Sequence, residues 1–271
     1  MELRAMISLL LLLLLGLSMA HPGHFVFSVK LVVDDFLFGS LSSEILEDES
    51  DITSTILRMN NGSTDFLIEG DVLIPRTRSA MRCFSKTFSC LWSKSANGKV
   101  EIPFIINSKY DTHEKNEILN AMKDFHSKTC IRFVPRVKQR MYISFEPRYG
   151  CFSSLGRLGD KQVVSLQRFG CVRHGIIQHE LLHALGFYHE HTRSDRDQYV
   201  RINWEYKKDS NNLNTPYDYS SVMHYGRTAF ASQFGKETIT PIPDPSVPIG
   251  QRQGMSDIDI RRINTLYKCC K

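Results

Sequence analysis

The twelve residues His179–Glu190, with the sequence HELLHALGFYHE, constrain this chain more than any other stretch. Residues four apart share one face of a helix, so His179 and His183 can present imidazole nitrogens to the same ion. His189 can join them only if the helix stops first, and Gly186 supplies that stop because glycine readily adopts the left-handed conformation that ends helices. Three imidazoles placed in this way predict a catalytic zinc site, which keeps three protein ligands and a water.

Glu180 stands beside the predicted ligands and is placed to act as the general base that draws a proton from the water. Apolar residues of the same helix recur at helical spacing, about half a turn away from the histidines: Ile177, Leu181, Ala184 and Leu185. We therefore expect one helix face to be buried and the other to face a cleft. A HExxH pentapeptide alone arises by chance on many helices, but its extension to HExxHxxGxxH predicts a zinc hydrolase.

The N-terminal residues have the pattern of a secretory signal. Arg4 precedes the apolar run 6–17, and the small residues of 18–20 suit a signal peptidase, so we predict a cleaved signal peptide at 1–20. The alternative is a membrane anchor, but twelve apolar residues fall short of the roughly 20 that span a bilayer. We expect a secreted protein with no membrane segment.

Secretion makes the cysteines interpretable, because an oxidising compartment favours disulfides. Seven are present, at Cys83, Cys90, Cys130, Cys151, Cys171, Cys269 and Cys270. Since the number is odd, at least one is free, pairs outside the chain, or competes with a neighbour. The adjacent Cys269 and Cys270 are the obvious candidates, since both could compete for one partner cysteine.

Charge divides the remaining chain into two parts. Residues 21–78 have a net charge of −6 and no cysteine, whereas 79–271 have a net charge of +11. We interpret 21–78 as an inhibitory pro-segment and 79–271 as the catalytic domain, held together partly by long-range attraction. Arg76 and Arg78 form a basic site for a trypsin-like or furin-like protease, although an ordinary linker remains the alternative. The basic residues of 79–271 are scattered rather than clustered. This argues against nucleic-acid binding and favours acidic substrates or extracellular matrix as binding partners.

Periodicity predicts an α+β fold. Val100–Ile106 and Met141–Phe145 have the composition of strands, and residues 114–127 carry apolar side chains at helical spacing. A second helix begins near Gly175. A third covers 256–267, with a serine cap and acidic residues in its first turn.

With Glu190 after the third histidine, the chain resembles the metzincins, and among them the astacin family. Residues 221–225, SVMHY, resemble the Met-turn of that family. The resemblance implies that Met223 forms an apolar floor under the zinc and that Tyr225 swings out to stabilise the oxyanion. It also implies that Glu190 binds the new N-terminus, near Ser79, once the pro-segment is cut.

Residues 68–71, IEGD, resemble the pro-segment motif of the family, which implies that Asp71 ligates zinc in place of the catalytic water. Further stretches that look like astacin segments are 129–133, 193–197 and 215–219. By similarity, Cys130 pairs with Cys269 or Cys270, Cys151 pairs with Cys171, and Cys83 pairs with Cys90. The last pair is a feature of the fish hatching enzymes and their relatives, as are the matches at 238–243 and 249–252.

The resemblance implies a zincin-like, two-lobed catalytic domain around a horizontal cleft. Residues 79 to about 185 would supply a mixed twisted sheet and the active-site helix, and the remainder an irregular lower lobe. It implies a monomeric, secreted endopeptidase with one Zn²⁺ per subunit, stored in secretory granules and acting on egg-envelope glycoproteins. A substrate strand is expected along an edge strand of the upper sheet.

Two alternatives stay open: an astacin protease with another tissue role, and a catalytically impaired secreted binding protein. The stretch from Trp204 to Asn212 is shorter than the family leads us to expect, which makes the second alternative possible, whereas the presence of every catalytic residue type argues against it. His191, beside the third predicted ligand, is expected to be exposed.

Overall fold

The structure is a computed structural model that describes residues 51–74, 90–203, 210–233, 235–251 and 253–269. The predicted signal peptide and the first part of the pro-segment lie outside these ranges. So do several residues named above: Arg76, Arg78, Ser79, Cys83, Trp204 and Cys270. Within the described ranges, no helix is long and apolar enough to cross a membrane.

The described chain contains four α-helices, which are α1 Ile52–Asn60, α2 Thr112–Lys128, α3 His174–Ala184 and α4 Asp257–Leu266. Nine strands lie between them: β1 Leu67–Ile68, β2 Val72–Leu73, β3 Val100–Ile106, β4 Ile131–Pro135, β5 Tyr142–Glu146, β6 Cys151–Ser154, β7 Lys161–Leu166, β8 Val200–Ile202 and β9 Ile239–Pro241. Glu190–Thr192 and Arg196–Gln198 are single 3₁₀ turns.

Seven of the strands form one mixed sheet in the order β1-β2-β6-β7-β5-β3-β4. Strands β4, β3, β5 and β7 are parallel, and β6 runs antiparallel to β7. Strands β8 and β9 form a separate antiparallel pair. The α+β class and the mixed sheet agree with the prediction.

The expected sheet began after residue 79, and that expectation was incomplete. Strands β1 and β2 come from 51–74, the segment interpreted as part of the pro-segment, and β2 pairs in parallel with β6. Without them, β6 would be an edge strand with unpaired backbone groups, which is a ready template for another strand. The segment occupies that edge.

The face of α3 that was expected to face a cleft is covered in this structure. Every residue from Gly175 to Ala184 is buried. The apolar side packs in the main core, and the histidine side lies against Asp71, which is itself fully buried. Periodicity predicts the apolar face of a helix but not what covers the other one.

The division at residue 185 also needs correction. Helix α4 packs Ile263 and Tyr267 into the same core as the sheet, α2 and α3. A disulfide joins Cys130 to Cys269, and a second joins Cys151 to Cys171. The later half of the chain also builds a smaller core of its own, formed by Val200, Tyr217, Tyr225, Ala229 and Ile239.

Asp259 connects α4 to the turn at 221–223. The N-cap Ser256 and Asp259 form a capping box at the start of α4. The buried Asp259 carboxylate also accepts hydrogen bonds from Ser221 Oγ at 2.6 Å and from Val222 N at 3.0 Å. Burial raises the pKa of this carboxyl group, and the hydrogen bonds oppose that effect.

We predict that Asp259→Asn destabilises the protein by about 2 kcal/mol, because the new NH₂ group faces buried donors instead of accepting from them. Chemical unfolding of the full chain measures the change. The control is Asp257→Asn, which alters an exposed carboxylate in the same turn of α4 and should change stability by less than about 0.5 kcal/mol. Equal effects of the two substitutions would contradict the assignment.

Candidate active site

The end of α3 places the third histidine. Phe187 N donates to Leu182 O, and Gly186 N donates to His183 O, which together form a Schellman motif. Gly186 has a φ of 100°, in the left-handed region that favours glycine. The chain therefore turns back after the helix and brings His189 beside the two helical histidines, with its ring centroid 4.7 Å from that of His183.

Each of the three imidazoles is oriented by an acceptor at Nδ1. His179 Nδ1 lies 2.8 Å from Val222 O, and His183 Nδ1 lies 2.7 Å from Phe187 O. A carbonyl oxygen can only accept, so each Nδ1 carries the hydrogen and each Nε2 keeps its lone pair. The third ring, that of His189, has the carboxylate of Glu69 as its Nδ1 partner instead.

The Nε2 atoms converge on the carboxylate of Asp71. Asp71 Oδ2 lies 3.0 Å from His179 Nε2 and 3.2 Å from His189 Nε2, and Oδ1 lies 3.4 Å from His183 Nε2. One ligand atom from each of the four residues lies within 4.8 Å of the others, and all four residues are buried. Burial opposes ionisation of Asp71, but the charge of His189 holds its pKa well below the usual range.

These residues fit a zinc ion. Nitrogen and carboxylate oxygen are ligands that zinc prefers, and three protein ligands plus one further position is the catalytic arrangement. His183 Nε2 is buried and has no hydrogen-bond partner among the described residues, and burial lowers its pKa to about 4. A neutral, desolvated imidazole with a free lone pair is suited to bind a metal.

Glu180 is fully buried next to the first histidine of the motif. Neither carboxylate oxygen has a hydrogen-bond partner among the described residues. Burial, together with the charge of Asp71, holds its pKa well above the ordinary value. A buried carboxylate without partners costs free energy and is characteristic of a functional group.

Glu69 is a contact that the sequence interpretation missed. Its Oε2 lies 2.6 Å from His189 Nδ1, and its backbone oxygen accepts a hydrogen bond from Tyr225 Oη. Glu69 has a φ of 52°, a conformation rare for residues other than glycine. Burial raises the pKa of Tyr225 well above its usual value, with the charges of Asp71 and Glu69 adding to the effect.

The turn predicted to lie beneath the metal packs against α3. Val222 supplies the acceptor for His179, and Met223 is buried in the main core. Met223 O accepts from Glu190 N at 3.0 Å, which ties this turn to the stretch after His189.

Glu190 is buried and bound by arginines. Arg262 makes two hydrogen bonds to its carboxylate, at 2.6 and 2.8 Å, Arg193 lies at 3.3 Å, and Asp218 N donates at 2.8 Å. A cavity of about 260 Å³ adjoins this group. The sequence did not predict the contact between Arg262 and Glu190, because nothing in a helical pattern links an arginine to a carboxylate 72 residues away.

The expectation that His191 is exposed is wrong. The side chain is 1% exposed and lies between two aromatic rings. Its ring centroid is 4.1 Å from that of Tyr225 and 5.4 Å from that of His189. The 3₁₀ turn that follows the third histidine directs this side chain inward. Burial holds its pKa well below the usual value.

Comparison with known proteins decides the family. Residues 91–268 match the model of the astacin peptidase family. The chain belongs to the astacin family.

The chain is similar over nearly its whole length to hatching enzymes of the fish Oryzias latipes. It is 56% identical to its low choriolytic enzyme, covering 99% of this chain and all of the relative. It is 51% identical to high choriolytic enzyme 1, covering 96% and 97% of the two chains. The solved structure of the latter, described as a hatching-enzyme zinc protease, superposes with a TM-score of 0.66 at 57% identity, covering 67% of this chain and 96% of that one.

Membership makes this chain an astacin-family metalloendopeptidase, and the family is zinc-dependent. The cluster of three histidines and one aspartate is a group that could hold the metal. Protein substrates follow from the activity.

We predict that the full chain binds one zinc ion and that His183→Ala lowers zinc affinity at least about 10-fold, because one of three imidazole ligands is lost. The measurement is zinc content after dialysis against a graded chelator. His113→Ala, at an exposed histidine in α2, is the control and should retain zinc. Glu180→Ala should also retain it. Loss of zinc in all three variants, or in none, would contradict the ligand assignment.

Proposed function

We propose that this chain is a secreted zymogen of a hatching-enzyme-like zinc endopeptidase that acts on egg-envelope proteins. The signal peptide would be 1–20, the inhibitory pro-segment 21–78 and the catalytic domain 79–271. His179, His183 and His189 would hold the zinc, with Glu180 as general base and Asp71 as the latency switch. The similarity to two choriolytic enzymes over nearly the whole chain supports the substrate class.

The observation that carries the zymogen proposal is the position of Asp71. Its carboxylate lies 3.0 to 3.4 Å from all three Nε2 atoms, and it is buried and ionised. An oxygen held there takes the fourth position of a zinc site, which a catalytic site leaves to water. The chain is inactive while this carboxylate stays in place.

The residues of the catalytic domain would then act on the substrate as follows. A bound zinc ion lowers the pKa of a water and polarises the scissile carbonyl. Glu180, buried against the metal ligands, accepts the proton at its carboxylate and delivers it to the leaving amine. Tyr225 donates its hydroxyl hydrogen bond to the developing oxyanion.

In the structure, Tyr225 Oη donates to the backbone oxygen of Glu69. Removal of the pro-segment therefore frees three groups together: the fourth position on the metal, His189 Nδ1 and the Tyr225 hydroxyl. The new N-terminus, near Ser79, would bind near Glu190, whose carboxylate already faces Arg262 and a cavity. An ammonium group there would join an existing ion-pair network.

Removal of the pro-segment would also expose β6 as an edge strand. Strand β2 covers Ser153 and Ser154, and Ser153 N donates to Asp71 O at 3.1 Å. A substrate strand placed on the same edge gains main-chain hydrogen bonds that fix its register next to the metal.

We predict that Asp71→Ala makes the uncleaved chain active, because alanine cannot take the fourth position on the metal. Hydrolysis of a denatured protein by chains shown to retain residues 21–78 is the measurement. Asp65→Ala, a substitution in the same segment away from the histidines, is the control and should leave the chain silent. An Asp71→Ala chain that stays silent would refute the aspartate switch.

We further predict that the activated enzyme cleaves egg-envelope proteins at least about 10-fold faster than unrelated matrix proteins, an increment of about 1.4 kcal/mol in transition-state binding. Mapping of the cleavage sites and comparison of kcat/KM test this. A zinc chelator and Glu180→Ala should both abolish cleavage, the latter with zinc retained. Equal rates on both classes would point to another tissue role, and no cleavage of either to a binding protein.

A further inference from the structure

Asn60 of the proposed pro-segment forms hydrogen bonds to the edge strand β6 with its side chain rather than with its backbone. Asn60, the last residue of α1, is 9% exposed. Its Oδ1 accepts from Cys151 N at 2.7 Å, and its Nδ2 donates to Cys151 O at 2.6 Å. Nδ2 also donates to Gly70 O at 2.7 Å.

These bonds fix the orientation of the amide. Cys151 N can only donate, and the two backbone oxygens can only accept, so no flipped amide satisfies all three. The side chain uses both of its N–H hydrogens and its oxygen. A side chain of another chemical type could not do the same from this position.

The pair of bonds to Cys151 is the pair that an antiparallel neighbouring strand would make. In a hydrogen-bonded antiparallel pair, one residue gives its N–H and its C=O to the single residue opposite. A primary amide carries the same two groups side by side. Asn60 therefore takes the place of a peptide backbone at Cys151.

This position lies on the same edge that β2 covers. Cys151 and Ser153 are two residues apart in β6, so their backbone groups face the same side. The pro-segment satisfies Ser153 N with the main-chain oxygen of Asp71, and it satisfies Cys151 with the side chain of Asn60. The two contacts cover consecutive outward-facing residues.

The backbone before Cys151 leaves room for this contact. Gly150 has a φ of 91°, and a Cβ atom there would lie 2.0 Å from Asn60 Oδ1. Tyr149 Oη donates to the backbone oxygen of Asn61 at 2.6 Å, which holds the end of α1 against the same loop.

We propose that Asn60 is a substrate-backbone mimic that blocks the edge strand at Cys151 and, through Gly70, holds Asp71 at the metal ligands. The inference rests on the proposed zymogen function and adds a second point of inhibition, away from the metal. It also makes the N–H and C=O of Cys151 a main-chain anchor for substrate in the processed enzyme.

The test uses the full chain from a host that adds no N-glycans, because Asn61-Gly62-Ser63 is an acceptor sequence for N-glycosylation. In an Asp71→Ala background the metal is open, so kcat/KM of the uncleaved chain on an extended peptide reports access to the edge strand. Addition of Asn60→Ala should raise this kcat/KM about 10-fold, since three hydrogen bonds are lost, two of them buried. Addition of Asn61→Ala, the neighbouring exposed residue of the same type, should leave it unchanged.

A second measurement is amide hydrogen exchange in chains that retain Asp71. Asn60→Ala should speed exchange at Cys151 about 10-fold or more, whereas Asn61→Ala should not. Each variant releases the same mature protein after activation. Equal activity of the processed forms therefore shows that the catalytic domain has folded.

The outcomes separate the two proposals. If Asn60→Ala changes neither kcat/KM nor exchange at Cys151, the mimic is refuted even where Asp71→Ala activates the chain. If Asp71→Ala stays silent while Asn60→Ala speeds exchange at Cys151, the aspartate switch fails and the Asn60 contact is supported. Reduced activity of the processed Asn60→Ala form would also contradict the inference, because it would show that Asn60 is needed to fold the catalytic domain rather than to block the edge strand.

Discussion

The hydrogen bonds at the Nδ1 atoms of the three histidines are the constraint on which the site depends. Two of the acceptors are backbone oxygens, at Val222 and Phe187, so the tautomer of each ring is set by chain segments that must fold correctly first. The Schellman motif at Gly186 supplies one of these segments, and the turn held by Asp259 supplies the other. A substitution far from the metal can therefore change the direction of an Nε2 lone pair.

The third histidine differs, because its partner Glu69 belongs to the predicted pro-segment. The carboxylates of Glu69 and Asp71 flank the His189 ring, and together they outweigh its burial and raise its pKa to about 9. Loss of the segment removes both carboxylates from one ring. Of the three rings, His189 would thus be the one that loses its Nδ1 acceptor with the segment, since the acceptors of His179 and His183 are backbone oxygens outside it.

The sequence predicted that His179, His183 and His189 come together and where α3 ends, because both depend on spacing within twelve residues. Caps and periodicity likewise predicted α2 and α4. The sequence did not predict Asn60, Glu69 or Arg262 as contacts, nor the burial of His191. Each of these depends on a partner far along the chain, and asparagine, glutamate and arginine are residue types that are usually exposed. A buried polar contact has no periodic signal, whereas an apolar helix face does.

If the segment blocks the active site as proposed, it must hold the edge strand as a substrate would, and it contacts β6 in two different ways. Main-chain pairing is used at Ser153 and Ser154, where β2 runs parallel to β6. At Cys151 the pairing partner is a side-chain amide. The segment thus gains the hydrogen bonds of a bound strand while placing no peptide bond of its own opposite Cys151.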